Sequence, residues 1–456
     1  MMLQECSALF CTYTPLFLIF LLVVAGGLCF TLASAQMTTQ YEEGPIFTKD
    51  QNLKAELFFK GGLKFPTSMA FLDTNDILVL EKNEGKVKRI VNGIMLSEPL
   101  LDVDVANERE RGMLGIAVKN ISEHTYVFLY FTEAVTEDGD DLQGKEPLGN
   151  RLYRYELVND KLLNPKLLLD LPAMPEAIHN GGKVIIGPDN NIYIVTADNG
   201  GATKAQNYQE GSEVDGRSGI IRITQDGGHV PNGGILSDEH PLNLYYAYGI
   251  RNSFGIAFDP VTGNLWDTEN GENDNDEINL VEPGFNSGWS KMQGIVSSDS
   301  DSDSNGLDLD EDLVNFNGKG EYRDPKFTWQ YSVGPTDIKF LHSEKYGKQY
   351  ENDVFVGDFH KGYLYHFDLD KERTELSLKG LLNDRVANSY DELKERIFAR
   401  GFGGITDIEV GPDGYIYILS LYVGGGNCDP KFPNTPCIQY SSTNLGSIFR
   451  IVPTVG

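Results

Sequence analysis

The chain has 456 residues, and 67 Asp and Glu against 38 Lys and Arg give it a formal net charge of −29. That balance excludes a phosphate-backbone binder, which needs clustered Lys and Arg, so no nucleic-acid partner is expected. Forty-nine glycines and 11% aromatic residues suit many short strands joined by tight turns, an all-β chain that can exceed ordinary domain length as one unit.

Taken in chain order, residues 1–35 read as a signal peptide or an N-terminal membrane anchor. Leu16 to Leu32 is apolar almost throughout, and Ala33-Ser34-Ala35 offers a small-residue cleavage site. The run also approaches bilayer-spanning length and lacks a positive flank, which keeps a membrane tether open. The expected location is extracellular or cell-surface. Residues 36–52 are polar and aperiodic, a linker. Strand signals then come densely, for example Asp76-Ile77-Leu78-Val79-Leu80-Glu81 and Tyr126-Val127-Phe128-Leu129-Tyr130-Phe131. A turn recurs, as Gly187-Pro188-Asp189-Asn190-Asn191-Ile192-Tyr193, as Asp259-Pro260-Val261-Thr262-Gly263, and as Gly411-Pro412-Asp413-Gly414-Tyr415-Ile416-Tyr417. Repeated strand–turn–strand units favour a propeller over a sandwich modestly.

Residues 297–312 form an acidic insert. Asp301, Asp303, Asn305 and Gly306 match the first half of a calcium-binding EF-hand loop. The final position is Asp312 instead of Glu, and no flanking helix pair is visible, so a solvated acidic loop is the favoured expectation. Tyr390 to Ala399 is the best helical candidate. Cys428 and Cys437 flank a Pro-rich loop and, in an exported chain, read as a disulfide. The last strand, Gly446 to Val452, is expected to share a sheet with the first, near Ala55 to Phe59, so that no edge stays open.

Three ordered signatures carry most information: His179-Asn180-Gly181-Gly182-Lys183; Tyr248-Gly249-Ile250-Arg251-Asn252; and Glu269-Asn270-Gly271-Glu272 followed by Asp276-Glu277-Ile278-Asn279 and Gly284-Phe285-Asn286-Ser287-Gly288-Trp289. In this order the chain resembles the soluble glucose/sorbosone dehydrogenases from about Leu53 onward. The resemblance implies a six-bladed β-propeller of four-stranded blades over 53–456, the cofactor pyrroloquinoline quinone (PQQ), and Ca2+. It implies an aldose sugar substrate, oxidised at C1 to a lactone, and a small redox protein or quinone as electron acceptor.

Residue by residue, the resemblance makes His179 the general base and Asp198 the carboxylate that orients it, also on the substrate side. Arg251 and Asn252 match the pair at the quinone oxygens, Arg251 stabilising developing charge. Thr336 matches a cofactor-contacting Thr and Glu110 a substrate-side polar residue. Gly271 and Glu272 match the positions whose carbonyls hold calcium.

Two departures stand out. The family's cofactor Lys aligns with His360, with Lys361 one residue later, and its Arg-x-Arg aligns with Gly404-Ile405-Thr406. Lys361 and Arg400 are the candidates for restoring that positive charge, which a cofactor with three carboxylates needs. Two functions therefore stand side by side: a PQQ-dependent sugar dehydrogenase, and a non-catalytic propeller that binds a sugar, glycan or protein partner.

Overall fold

The computed structural model describes residues 46–295, 309–421 and 445–454. The leader at 1–35, Cys428 and Cys437, and all of the acidic insert except its last four residues lie outside them. Among the described residues no helix is long and apolar enough to cross a membrane.

The fold is an all-β propeller. Hydrogen bonding organises the strands into six sheets. Their innermost strands are Pro66–Asp73, Met113–Ile121, Val184–Ile186, Ser253–Phe258, Pro335–Phe340 and Ile405–Val410, each packed against the next, with the last returning to the first. The strands behind them are buried on both faces, because each sheet is covered by a neighbour on either side. Asp76–Glu81 and Ile192–Thr196 therefore read as nearly continuous apolar runs, and Leu265–Glu269 is buried throughout although it carries Asp267, Thr268 and Glu269. Outermost strands such as Lys161–Leu171 return to mixed exposure.

The sheets are not uniformly four-stranded. Two-residue strands extend several of them, and one corrects the expected linker: Phe47–Thr48 pairs with Ala399 and Arg400. The expected helix at 390–399 is also replaced. One turn forms at Tyr390–Leu393, and Ile397–Arg400 is a strand whose Ile397, Phe398 and Ala399 are buried. Tertiary packing of those three apolar residues outweighs the local helical preference.

The recurring turn is a side-chain device. In Gly187–Tyr193, Asp189 accepts the Asn191 amide at 3.1 Å through Oδ1 and the Tyr193 hydroxyl at 3.0 Å through Oδ2. In Gly411–Tyr417, Asp413 does the same for Tyr415 and Tyr417 at 3.2 and 2.9 Å. A Cβ on Gly187 or Gly411 would lie 2.6 Å from the tyrosine ring, which explains the glycine that opens each copy.

Closure is as the sequence suggests. Leu53–Leu63 pairs antiparallel with Gly446–Pro453, from Leu53 opposite Pro453 to Leu63 opposite Gly446. At the centre, Lys183 is buried among carboxylates from other sheets. Its Nζ meets Asp337 Oδ2 at 2.9 Å and Glu409 Oε1 at 3.4 Å, and it also bonds Asp407 Oδ1. Asp407 Oδ2 in turn accepts the Met69 amide at 2.7 Å, and Asp337 Oδ2 accepts the Ile408 amide at 2.9 Å. Burial works against the Lys183 charge, and the three carboxylates outweigh it, so its pKa is raised.

Two predictions follow from closure and centre. Leu63→Ala, in the fully buried end of the closing strand, should cost about 2–5 kcal/mol in urea unfolding. Leu57→Ala, in the same strand but exposed, should stay within about 0.5 kcal/mol. Lys183→Met should cost about 3–5 kcal/mol near pH 8, because it strands buried carboxylates. Burial already pushes Asp407 up, and Lys183 is what pulls it back. Without Lys183 the native state binds more protons than the unfolded chain, so stability falls as pH rises. The deficit measured at pH 8 should therefore shrink toward pH 5.5.

Candidate functional site

Most of the expected site residues come together from four sheets. His179 has φ of 56° and precedes the inner strand at Val184. Its backbone amide donates to Glu110 Oε2 at 2.7 Å, which fixes the loop to the preceding sheet. Its Nδ1 lies 2.7 Å from Asp198 Oδ1. Against a carboxylate the shared proton sits on Nδ1, leaving Nε2 as the acceptor. Asp198 is buried and also accepts the Gly200 amide at 2.9 Å and the Trp289 indole N–H at 2.6 Å.

Trp289 links this pair to Arg251, whose guanidinium lies 5.3 Å from the indole ring. The Arg251 amide donates to Glu269 Oε1 at 2.6 Å, and Arg251 Nη1 donates to the carbonyls of Asn270 and Gly271 at 3.1 and 3.0 Å. Asn252 Nδ2 donates to Glu110 Oε2 at 3.4 Å, while Asn252 Oδ1 is buried with no partner.

A cavity of about 210 Å³ takes in only some of the expected residues. Glu110, Asn252 and Thr336 line it; His179, Asp198, Arg251 and Gly271 stand behind that lining, joined to it through Glu110 and Asn252. The Thr336 hydroxyl is turned to backbone, donating to Ile405 O at 2.8 Å. The rings of Phe65, Phe254 and Phe359 supply apolar walls.

The two expected compensating cations are not part of this cavity. Lys361 is absent from the lining, and its amide donates to Asp358 Oδ1 at 2.7 Å. Arg400 is exposed, bonds the Tyr390 hydroxyl at 3.2 Å and lies over Phe47 at 5.1 Å. The strand Ile397–Arg400 pairs at the rim of its sheet, so Arg400 belongs to the outer edge. His360 does line the cavity, with burial lowering its pKa. Sequence reasoning missed Lys82, a buried cavity residue, and Trp289, which bonds Asp198. A Lys two residues after the apolar run Ile77–Leu80, beyond Glu81, was the available signal for the first.

Gly271 and Glu272 stand in a loop held by Asp276, whose Oδ1 accepts the Gly271 amide at 2.9 Å and whose Oδ2 accepts Val333 and Gly334 at 2.7 and 2.9 Å. The Gly271 carbonyl faces a cation, and that cation is Arg251. The Glu272 side chain is exposed. Behind the loop, burial raises the carboxylates of Asp267 and Glu277 well above their ordinary range and Glu269 to about 7.

The class is that of a β-propeller with a His–Asp pair close to a cavity at the inner strands, lined by both aromatic and polar side chains. The chain belongs to the Glucose / Sorbosone dehydrogenase family, whose match spans residues 63–425. It is 25% identical over 369 residues to the aldose sugar dehydrogenase YliI of Escherichia coli strain K12, covering 78% of this chain and 87% of that one. It is 27% identical over 269 residues to quinoprotein glucose dehydrogenase B of Acinetobacter calcoaceticus, 54% of each. Among solved structures, the apo form of the soluble E. coli aldose sugar dehydrogenase matches with TM-score 0.63 and 21% identity, over 88% and 99% of the two chains. The PQQ-bound aldose sugar dehydrogenase of Streptomyces coelicolor matches with TM-score 0.58 and 22% identity, over 88% and 98%.

Asp358, beside the cavity residues Phe359 and His360, gives a pH prediction. Burial raises its pKa from 3.8 to about 7, against hydrogen bonds from the Tyr365 hydroxyl and nearby amides. Its folded pKa exceeds the unfolded one, so its contribution to stability is present below about pH 4 and lost as pH rises through about 7. Asp358→Asn keeps the hydrogen-bonding shape and removes the titration. Its melting temperature should fall less than that of the wild type between pH 4 and 8.

Proposed function

We propose that this chain is an exported quinoprotein that oxidises the C1 hydroxyl of an aldose to a lactone, with PQQ as cofactor and calcium beside it. Electrons would leave to a small redox protein or a membrane quinone. We read the six sheets as six propeller blades around this site. The observation that carries the reading is the His179–Asp198 pair, 2.7 Å apart behind a cavity lined by Glu110 and Asn252.

The donors and acceptors present suit the cofactor. Asn252 offers a buried Oδ1 without a partner, and Lys82 brings a buried ammonium to the same cavity. Arg251, Asn252 and Thr336 would hold the cofactor; Lys361 drops out of that set. Calcium would share the Gly271 carbonyl with Arg251, with the Glu272 carbonyl next in line. PQQ, when bound, supplies a quinone that accepts hydride.

The chain's own residues handle the proton. His179 Nε2 accepts the proton of the C1 hydroxyl. Asp198 keeps the Nδ1 proton in place and stabilises the imidazolium that forms. Trp289 and Gly200 fix the carboxylate, so it cannot rotate away from the ring. Glu110, anchored to the His179 amide, presents a polar edge to the sugar.

A second reading, a propeller that binds a sugar, glycan or protein without turnover, is favoured by the absence of Lys361 and Arg400 from the cavity lining. One experiment separates them. Purified apo-protein is titrated with PQQ and calcium, followed by the quinone spectrum, then assayed with aldoses and an artificial electron-accepting dye. The dehydrogenase reading expects saturable binding and turnover. His179→Ala should lower kcat by about 10²–10⁴-fold while PQQ affinity stays within a few-fold. Equal turnover in this variant would remove His179 from the role of base, and wild type with neither binding nor turnover would favour the second reading.

A further inference from the structure

Lys82 lines the cavity and, among the described residues, forms no salt bridge. Lys183 also lines it, but three carboxylates consume that charge. Lys82 is 2% exposed, and its Nζ donates to the backbone carbonyls of Arg111 at 2.6 Å and Asn107 at 3.3 Å. Among the described residues no carboxylate forms a salt bridge with it. Glu110 and Asp141 act on it only through space, and Asp141 is already paired with the Arg111 guanidinium at 3.3 Å. Two carbonyls account for two of its three protons, and Nζ also lies 5.1 Å from the centre of the Phe65 ring, a wall of the same cavity, which neutralises no charge.

The position is fixed rather than accidental. The Lys82 amide donates to Phe65 O at 3.0 Å, and its carbonyl accepts the Met113 amide at 2.9 Å. Gly112, at φ of 137°, leaves room for the stem: a Cβ there would lie 2.4 Å from the Lys82 carbonyl and 2.7 Å from its Cγ. A buried ammonium without a counter-ion is costly. Burial accordingly lowers its pKa to about 7.

We infer that Lys82 is the cation that binds a carboxylate of the cavity's ligand, the charge that the missing Arg-x-Arg would otherwise supply. For PQQ as that ligand the inference rests on the quinone reading above. It also commits the cavity to a carboxylate-bearing ligand whatever the chemistry.

The test measures affinity by quenching of intrinsic fluorescence, with calcium present, for PQQ and for benzene-1,3-dicarboxylate, which has no redox chemistry. Lys82→Met should bind both about 10- to 100-fold more weakly at pH 6.5. Lys82→Arg should recover most of that loss. Wild-type affinity should fall by several-fold as pH rises from 7 to 9, and Lys82→Met should lose most of that slope, the remainder belonging to Asp358 and Glu269, which burial raises to about 7. His360, whose pKa is lowered below 6.5, titrates outside this range. Unchanged affinity in Lys82→Met, or a flat wild-type profile, overturns the inference. If the dicarboxylate binds in a Lys82-dependent way and PQQ does not, the quinone reading falls and the role of Lys82 stands. If PQQ binds equally to Lys82→Met, the reverse holds. If neither ligand binds the wild type, both are overturned. The wild-type pH profile needs no variant to fold.

Discussion

One buried ammonium sets the terms for the rest of this molecule. Lys183 reaches Asp337, Asp407 and Glu409, and the outer bonds of those carboxylates run to Met69 and Ile408. Residues from four of the six sheets thus meet in one polar cluster. Inner strands of a propeller converge with little apolar surface to share, and charge pairing replaces hydrophobic packing there. Three carboxylates this close could hold a metal ion; the chain supplies its own cation instead. The cluster then becomes the floor of the cavity, and its positive charge is spent before any ligand arrives.

That local accounting explains why charge at the site is unusual for so acidic a chain. The formal net charge of −29 counts Asp267, Glu269, Glu277 and Asp358, whose burial favours the neutral acid, so part of that charge is suppressed inside. Cations at the site are each assigned: Lys183 to the floor, Arg251 to the carbonyls of Asn270 and Gly271, Arg111 to Asp141 and backbone. Among the described residues, Lys82 lines the cavity without a salt bridge, with Glu110 and Asp141 acting on it through space. A site built this way discriminates by where its few positive groups stand more than by how many there are.

Much of this was legible in the sequence, for a physical reason. The recurring turn is a local object, closed by an Asp and a Tyr four residues apart, and local objects leave local signatures. The closing strand was legible because an unpaired sheet edge is a liability. The His179 and Asp198 positions followed from the motifs around them. What failed was side-chain direction. Lys361 and Arg400 are close in sequence to the right places, but a one-residue step along a strand or turn sends a side chain elsewhere. Phe47–Thr48 and Ile397–Arg400 were misjudged together, since each is a strand partly because the other pairs with it. Trp289 reaches Asp198 across 91 positions, a contact that no reading of neighbours could supply.

The pairing of Leu53–Leu63 with Gly446–Pro453 has a consequence in time as well as in space. A chain emerging from its N-terminus makes one half of that sheet among its first folded residues and the other half among its last. Until the final segment is free, the ring carries an open strand edge that can attach to any extended neighbour. Docking of the C-terminal strand is thus a late step that depends on contacts across almost the whole sequence, the kind that topology makes slow. During that interval the burden of keeping the chain apart from its copies falls on its surface charge.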